Sequence, residues 1–366
     1  MPVQILSDPQ IIQPYLSDES KVTGQAQSIS FPECEAEIRE VLFAVRQAHQ
    51  TLTVQGARTG ITGGAVPTGG HILNLSKLNR ITGMGWDAER NCFLLSVQPG
   101  VQLNQLNKAI AEKSFDTTGW SAQAQSALRR FQQSGAWFLP ADITETTASI
   151  GGMVSTSASG AKSYRYGSMR RHVLGLRLLL ANGKSLSLHR GEQFAQGRQF
   201  TLRLDDGSQI AGQLPAYRMP QVKNASGYYV HENMDLIDLF IGSEGTLGIV
   251  TEVTLALAPQ PGFTWGMMAF FTREQNALAY VHALRALPQA EQPSAIEFFD
   301  QACLALLRSE QEQLHAHQNI PALSPAAQSA IYTEFTAESL PERDEAINRL
   351  ADLLNAGGGD EQATWL

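Results

Sequence analysis

The spacing of apolar and polar positions divides this chain into helices and strands that take turns. Ile38, Val41, Leu42 and Val45 recur at i, i+3, i+4 and i+7, the single apolar stripe of an amphipathic helix. Ser30 and Glu33 stand in capping-box spacing around Pro32 and mark its expected start. A β-type run at 51–54 comes next, then a glycine-rich loop, then a second run at 71–75. Residues 92–97 read as a strand halted at Pro99-Gly100, and Leu103, Leu106 and Ile110 mark another helix. Two further runs, 176–180 and 186–188, flank Asn182-Gly183. Asn-Gly is a strong hairpin signal because a type I′ turn needs positive φ at both central residues. Gly183-Lys184-Ser185 is no phosphate-binding P-loop, since Leu178 stands where the first glycine is needed.

Two prolines and a glycine at 257–262 end a β-rich run and mark a boundary. Beyond it, 264–271, 296–299 and 331–335 are strand-like, and 274–287 and 342–354 helix-like. Residues 317–328, with Pro321 and Pro325, read as an exposed loop. The class is mixed α and β.

Length and charge narrow the functions. A chain of 366 residues suits two to three domains at roughly 150 residues each. With 27 Lys and Arg against 35 Asp and Glu, the net charge of −8 argues against nucleic-acid binding. The three cysteines, Cys34, Cys92 and Cys303, form no CxxC, which excludes clusters and zinc sites built on closely spaced thiolates. The first residues lack a signal peptide's basic and apolar regions. No apolar run approaches the roughly 20 residues of a membrane span. A soluble, reduced, cytoplasmic protein is expected, with peripheral membrane association left open.

The 31 glycines are clustered. The first cluster, Gly56 to Gly64, lies between two expected strands. Backbone N–H groups in such a loop form an anion-binding concavity, and missing side chains let a diphosphate approach. Arg58, Thr59 and Thr62 add charge and hydroxyls. The spacing is not GxGxxG and a strand follows, which disfavours a nicotinamide-type fold. Taken alone, the loop is as compatible with a plain surface turn. The second cluster runs from Pro140 through Gly151-Gly152 to Gly160 and suits backbone laid against a flat ligand. The alternative is a flexible linker, against which stand the interspersed Ile150, Met153 and Val154. The third, Gly242 to Gly248, is a glycine-rich turn entering a buried strand.

The segments GARTGITGGAVP (56–67), SVQPG (96–100), LPADITETTASIGGMVSTSASG (139–160), YRYGS (164–168), KNASGYY (223–229) and LFIGSEGTLGIVTEVTL (239–255) are informative in combination. Together they resemble the FAD-binding domain of vanillyl-alcohol-oxidase-type (PCMH-type) flavoproteins, over roughly residues 20–258. The similarity is strongest to the glycolate oxidase and D-lactate dehydrogenase branch. It implies an α+β fold. A PCMH-type FAD-binding domain of two α/β subdomains would occupy 1–258, and an incomplete ferredoxin-like cap 259–366.

The resemblance also implies site residues. Gly56, Ala57, Arg58, Thr59 and Gly60, with Gly63 and Gly64, would hold the FAD pyrophosphate. Pro140, Thr144, Gly151, Gly152, Thr156 and Gly160 would follow the ribityl chain and ring. Tyr166, Gly167, Gly248 and Ile249 would complete the pocket. Ser155 and Ser157 depart from the Ala and Asn common in relatives. Residues 56–66 contain no His or Cys for covalent attachment, so non-covalent FAD is expected.

Relatives carry a His-x-Gly-x-Gly-Asn-x-His type motif and an acidic-His pair for the substrate. None of the histidines here (His49, His71, His172, His189, His231, His282, His315, His317) has that context. His315-Ala-His317 reads as a solvated pair, and no metal site is expected. Arg170-Arg171-His172 reads as a solvated turn and Glu244 as a structural hydrogen-bonding residue, with substrate contact the alternative for both. No catalytic base is assigned. The expected function is FAD-dependent oxidation of a D-2-hydroxy acid, with hydride passing from the α-carbon to flavin N5. A partner subunit or a quinone would take the electrons. The alternatives are a flavin-binding fragment or subunit without turnover, and a non-redox relative of the alkylglycerone-phosphate-synthase kind.

Overall fold

The computed structural model describes residues 3–141, 143–314 and 323–365, which fall into two compact units. The first comprises Met1–Ser159 and Ser168–Pro259. Its three-stranded parallel sheet runs in the order Ser28–Ser30, His71–Asn74, Leu52–Gln55. Helix Glu35–Gln47 buries the expected stripe, Ile38, Val41, Leu42 and Val45, against Leu73, Leu75 and Leu78. The helix starts later than expected. Its N-cap is Cys34, and Ser30 ends a strand, where its hydroxyl lies 2.8 Å from His71 Nε2. The Glu33 N–H instead donates to the Glu37 carboxylate at 2.7 Å. The strand's demand on Ser30 therefore displaces the capping box.

The second sheet is antiparallel, in the order Ile81–Asp87, Cys92–Val97, Ile249–Ala256, Val173–Leu179, Ser185–His189. Phe93, Leu95, Val97, Val253 and Leu255 share a core with helix Leu103–Glu112. Helix Ala122–Gln133 adds Leu128 and Phe131 to that core. The hairpin at 180–184 is not type I′, because only Gly183 has positive φ (+80°) and Asn182 does not. Gly183 N–H donates to Leu180 O at 2.8 Å and Leu180 N–H to Lys184 O at 2.9 Å. This is the three-residue loop that ends on a left-handed glycine.

The second unit comprises Gln260–Leu366 together with Gly160–Gly167, so the chain contributes to it twice. Its antiparallel sheet runs Ala295–Phe299, Ser329–Ala337, Phe263–Phe271, Asp360–Trp365. Helices Glu274–Ala286 and Leu340–Ala356 cover one face, over Met267, Ala269, Phe271, Ile331 and Phe335. That order of strands and crossover helices is the ferredoxin-like split βαβ arrangement, here with helix Gln301–Leu314 added. Leu304 of the added helix packs with Phe270 and Ala330 on the other face.

The region 317–328 is not wholly an exposed loop. Leu323 and Ala327 are buried with Phe270, and Arg308 Nη2 donates to Ser324 O (2.7 Å) and Ala327 O (3.0 Å). Pro321, His315 and His317 lie outside the described residues. Within the same unit, Gly160–Gly167 is held by a Lys162–Glu334 ion pair at 3.2 Å. Arg165 Nη1 also donates to Gln292 O and Thr336 Oγ1, both at 3.3 Å.

Candidate functional site

The three glycine clusters expected from sequence contribute to one cleft in the first unit, with a cavity volume of about 240 Å³. Its first wall is the loop between Leu52–Gln55 and His71–Asn74. Gln55 is fully buried, and its Nε2 donates to Tyr15 O (2.8 Å) and Ala65 O (2.7 Å), fastening the loop's base. At Gly56 a Cβ would lie 2.2 Å from Ser149 Oγ, so only glycine allows this approach. Ser149 Oγ accepts from Ala57 N–H (3.2 Å) and Gly152 N–H (3.3 Å), linking the first cluster to the second. The Arg58 guanidinium donates to Pro14 O and Ser17 O and lies 4.6 Å over the Tyr15 ring. Its charge is thus engaged by the N-terminal segment. Among the described residues, no backbone N–H from Arg58 to Gly64 donates a hydrogen bond. A run of unused donors is the feature an anionic diphosphate requires.

The second cluster is a short helix, Ile150–Ser155, capped by Ser149. Ile150, Met153 and Val154 are buried and anchor it, which removes the linker alternative. A Cβ on Gly151 would lie 2.5 Å from Pro99 Cβ, so the helix sits directly on the Pro99-Gly100 turn. Thr156 Oγ1 donates to Gly152 O at 3.0 Å. Ser157 takes φ +46°, a conformation Asn adopts more readily, and its hydroxyl lies 3.2 Å from that of Ser168.

The third cluster turns sharply, with positive φ at Gly242, Glu244 and Gly245. Gly242 N–H donates to Val154 O (2.9 Å) and Glu244 N–H to Ser155 O (2.8 Å), binding this turn to the end of the short helix. The backbone N–H of Glu244 thus ties the turn to the helix, a contact that does not depend on its side chain. Its carboxylate lines the cleft opposite Gly64, whose Cβ would lie 3.3 Å from Oε2.

Of the expected residues, Gly56, Ala57, Arg58, Thr59, Gly60, Gly64, Gly151, Gly152, Thr156 and Gly248 line the cleft. Gly63, Pro140, Thr144 and Ile249 belong to the same unit but are not among its lining residues. Gly160, Tyr166 and Gly167 belong to the second unit, where burial raises the Tyr166 phenol above its ordinary pKa. Sequence reasoning missed Ser149 and the apolar lining supplied by Val54, Leu75, Ile143, Ala148 and Val250. Ser149 was findable as a serine three residues before Gly152, the usual N-cap spacing. The lining carboxylates are Glu145 and Glu244, and hydrogen bonds from Thr147 lower the pKa of Glu145. Arg170 is not in a solvated turn: its side chain is 18% exposed and pairs with Asp238.

Among the described residues, no group of three or more His, Cys, Asp or Glu is placed to hold a metal ion. No described helix is long and apolar enough to cross a membrane. The donor-rich loop and apolar walls together fit a ligand with an anionic diphosphate at one end and a flat apolar ring at the other.

Comparison with known proteins agrees with that fit. Residues 26–128 and 122–189 match the family described as FAD binding domain. The chain is 28% identical over 302 residues to D-lactate dehydrogenase of Anaerostipes hadrus, covering 82% of this chain and 50% of that protein. It is 26% identical over 374 residues to the mitochondrial D-2-hydroxyglutarate dehydrogenase of Rattus norvegicus, covering 98% of this chain and 55% of that one. The chain therefore spans about half the length of the curated relatives it matches. A structure of alkyldihydroxyacetonephosphate synthase superposes with a TM-score of 0.65 at 16% identity, over 99% of this chain and 59% of that one.

Proposed function

We propose that this chain, whose residues 26–128 and 122–189 match a FAD binding domain, binds FAD in a PCMH-type domain and serves a FAD-dependent dehydrogenase of D-2-hydroxy acids. The observation that carries the reading is the Arg58–Gly64 loop, whose backbone N–H groups donate no hydrogen bond among the described residues and of which Arg58, Thr59, Gly60, Thr62 and Gly64 line the cleft together with Gly151, Gly152 and Gly248. In this reading, residues 1–258 bind the cofactor and 259–366 belong to the substrate side.

The loop backbone holds the diphosphate. Gly63, Pro140, Thr144, Gly160, Tyr166, Gly167 and Ile249 are proposed as further cofactor contacts. Bound FAD supplies a hydride acceptor at N5 for the substrate's α-carbon. The chain's own part is to exclude water from the ring with Ile143, Ala148, Met153 and Val250. Residues 56–66 carry neither His nor Cys, and neither is among the described lining residues, so this reading takes attachment as non-covalent. In this reading electrons pass to a partner subunit or quinone, and the protein acts in the cytoplasm, with peripheral membrane association left open.

A second reading, FAD binding without turnover by this chain alone, is favoured by one observation. Among the described residues lining the cleft there is no histidine to serve as base, and the two carboxylates are exposed. Anaerobic addition of D-lactate, glycolate or D-2-hydroxyglutarate to the purified, FAD-loaded chain separates the two. Bleaching of the flavin supports turnover, and a yellow protein that no acid bleaches supports binding alone. A chain that cannot be loaded with FAD refutes both.

A further inference from the structure

We propose that Arg170 is the positioning residue that holds the Gly242–Gly248 wall of the cleft in place. This rests on the reading of the cleft as the cofactor site only for its consequence, not for its geometry. Arg170 follows directly on the point where the chain re-enters the first unit at Ser168. That point is pinned by Met169 N–H donating to Ala158 O at 2.9 Å.

From there the guanidinium makes several contacts with one later stretch of chain. Nη1 donates to Asp238 O and lies 3.3 Å from Asp238 Oδ1, while Nη2 donates to Ile241 O. Its carbon lies 4.1 Å over the Tyr229 ring. Asp238 is fixed in turn by Arg190, at 2.9 and 3.0 Å, so the carboxylate is shared between two guanidinium groups.

The contacts have a directed consequence. The carbonyl of Ile241 sits immediately before Gly242, and that of Asp238 four residues before it; Gly242, whose N–H donates to Val154 O, begins the wall. A Cβ on Gly242 would lie 3.2 Å from Arg170 Nη2, so the fork and the turn are fitted to each other. Only a planar fork reaches two carbonyls and a carboxylate at once. A lysine keeps the charge but donates from a single nitrogen. Arg170 does not line the cleft. It acts through Gly242 and Glu244, whose N–H groups bind the end of the short helix.

The test is hydrogen exchange on the whole chain without added FAD, comparing wild type with Arg170→Lys. The amides of Gly242 and Glu244 are expected to exchange at least tenfold faster in the variant, while Val253 and Leu255 in the adjoining strand keep wild-type rates. FAD titration is expected to show at least tenfold weaker binding by the variant, with altered visible fine structure of the flavin. Wild-type protection at Gly242 and Glu244 in Arg170→Lys overturns the inference. If that variant does not fold, Tyr229→Leu decides: it removes the ring under the guanidinium, which also packs on His231, and is expected to raise the same two exchange rates about threefold. Unchanged rates in that variant overturn the inference too. Failure of the wild type to bind FAD alongside faster exchange in the variant leaves the positioning role standing and removes the cofactor reading.

Discussion

His71 provides a direct test of how burial governs charge in this fold. It sits on the central strand of the parallel sheet, 1% exposed, with Nδ1 2.8 Å from Ser28 Oγ and Nε2 2.8 Å from Ser30 Oγ. A neutral imidazole satisfies this arrangement with one donor and one acceptor, and burial depresses its pKa from 6.5 to about 4. The unfolded chain therefore takes up a proton near pH 6.5, whereas the folded chain resists it until about pH 4. Between those values the unfolded state binds more protons, so stability falls as pH falls, and the contribution levels off below both. The gap of about 2.5 pH units corresponds to a loss of about 3 kcal/mol at about 1.4 kcal/mol per unit. Urea unfolding of wild type and His71→Gln across this range isolates the effect, because the glutamine amide can donate to one serine and accept from the other and does not titrate. The wild type is expected to lose about 3 kcal/mol relative to the variant on acidification. A difference that stays flat with pH, or an NMR titration of the folded protein placing His71 near its ordinary pKa, refutes the reasoning.

Other outcomes follow from the same contacts. Gly56→Ala drives a methyl to 2.2 Å from Ser149 Oγ and is expected to abolish FAD binding, read by flavin titration, with the fold retained by circular dichroism. Ser149→Ala removes the acceptor of two N–H groups, so a stability loss of about 1 kcal/mol in urea and weaker FAD binding are expected. Tyr280 is fully buried and its hydroxyl has no hydrogen-bond partner among the described residues. Tyr280→Phe is therefore expected to raise stability by about 1 kcal/mol, and a loss of that size in urea unfolding contradicts it.

The parts of this fold that were legible in sequence share a physical basis. The stripe of Ile38, Val41, Leu42 and Val45 and the runs at 92–97 and 264–271 announce themselves because burial imposes a period. The glycine clusters were legible as backbone needed bare, and ten of the residues expected in them line the cleft. Helix Ala122–Gln133 was not, because its sequence AQAQSALRRFQQ buries only Ala124, Leu128 and Phe131. Ser30 and Asn182 misled for a related reason: each carries a strong local signal, but the sheet and the loop closure decided their use. Arg170 was illegible for another. Its partners lie 68 and 71 residues away, and two of them are backbone carbonyls, which leave no mark on residue identity.

The segment Gly160–Gly167 has a consequence for how this protein is made and divided. Because the chain visits the second unit once early and returns to stay after Pro259, Lys162 and Arg165 leave the ribosome long before Glu334, Gln292 and Thr336 exist. That unit can close only after most of the chain has been synthesised, a long-range step of the kind that slows folding. No single cut yields both units intact. Severing the chain after Pro259 strands two cations on one piece and their acceptors on the other, so separating the units requires replacing the excursion as well as shortening the chain.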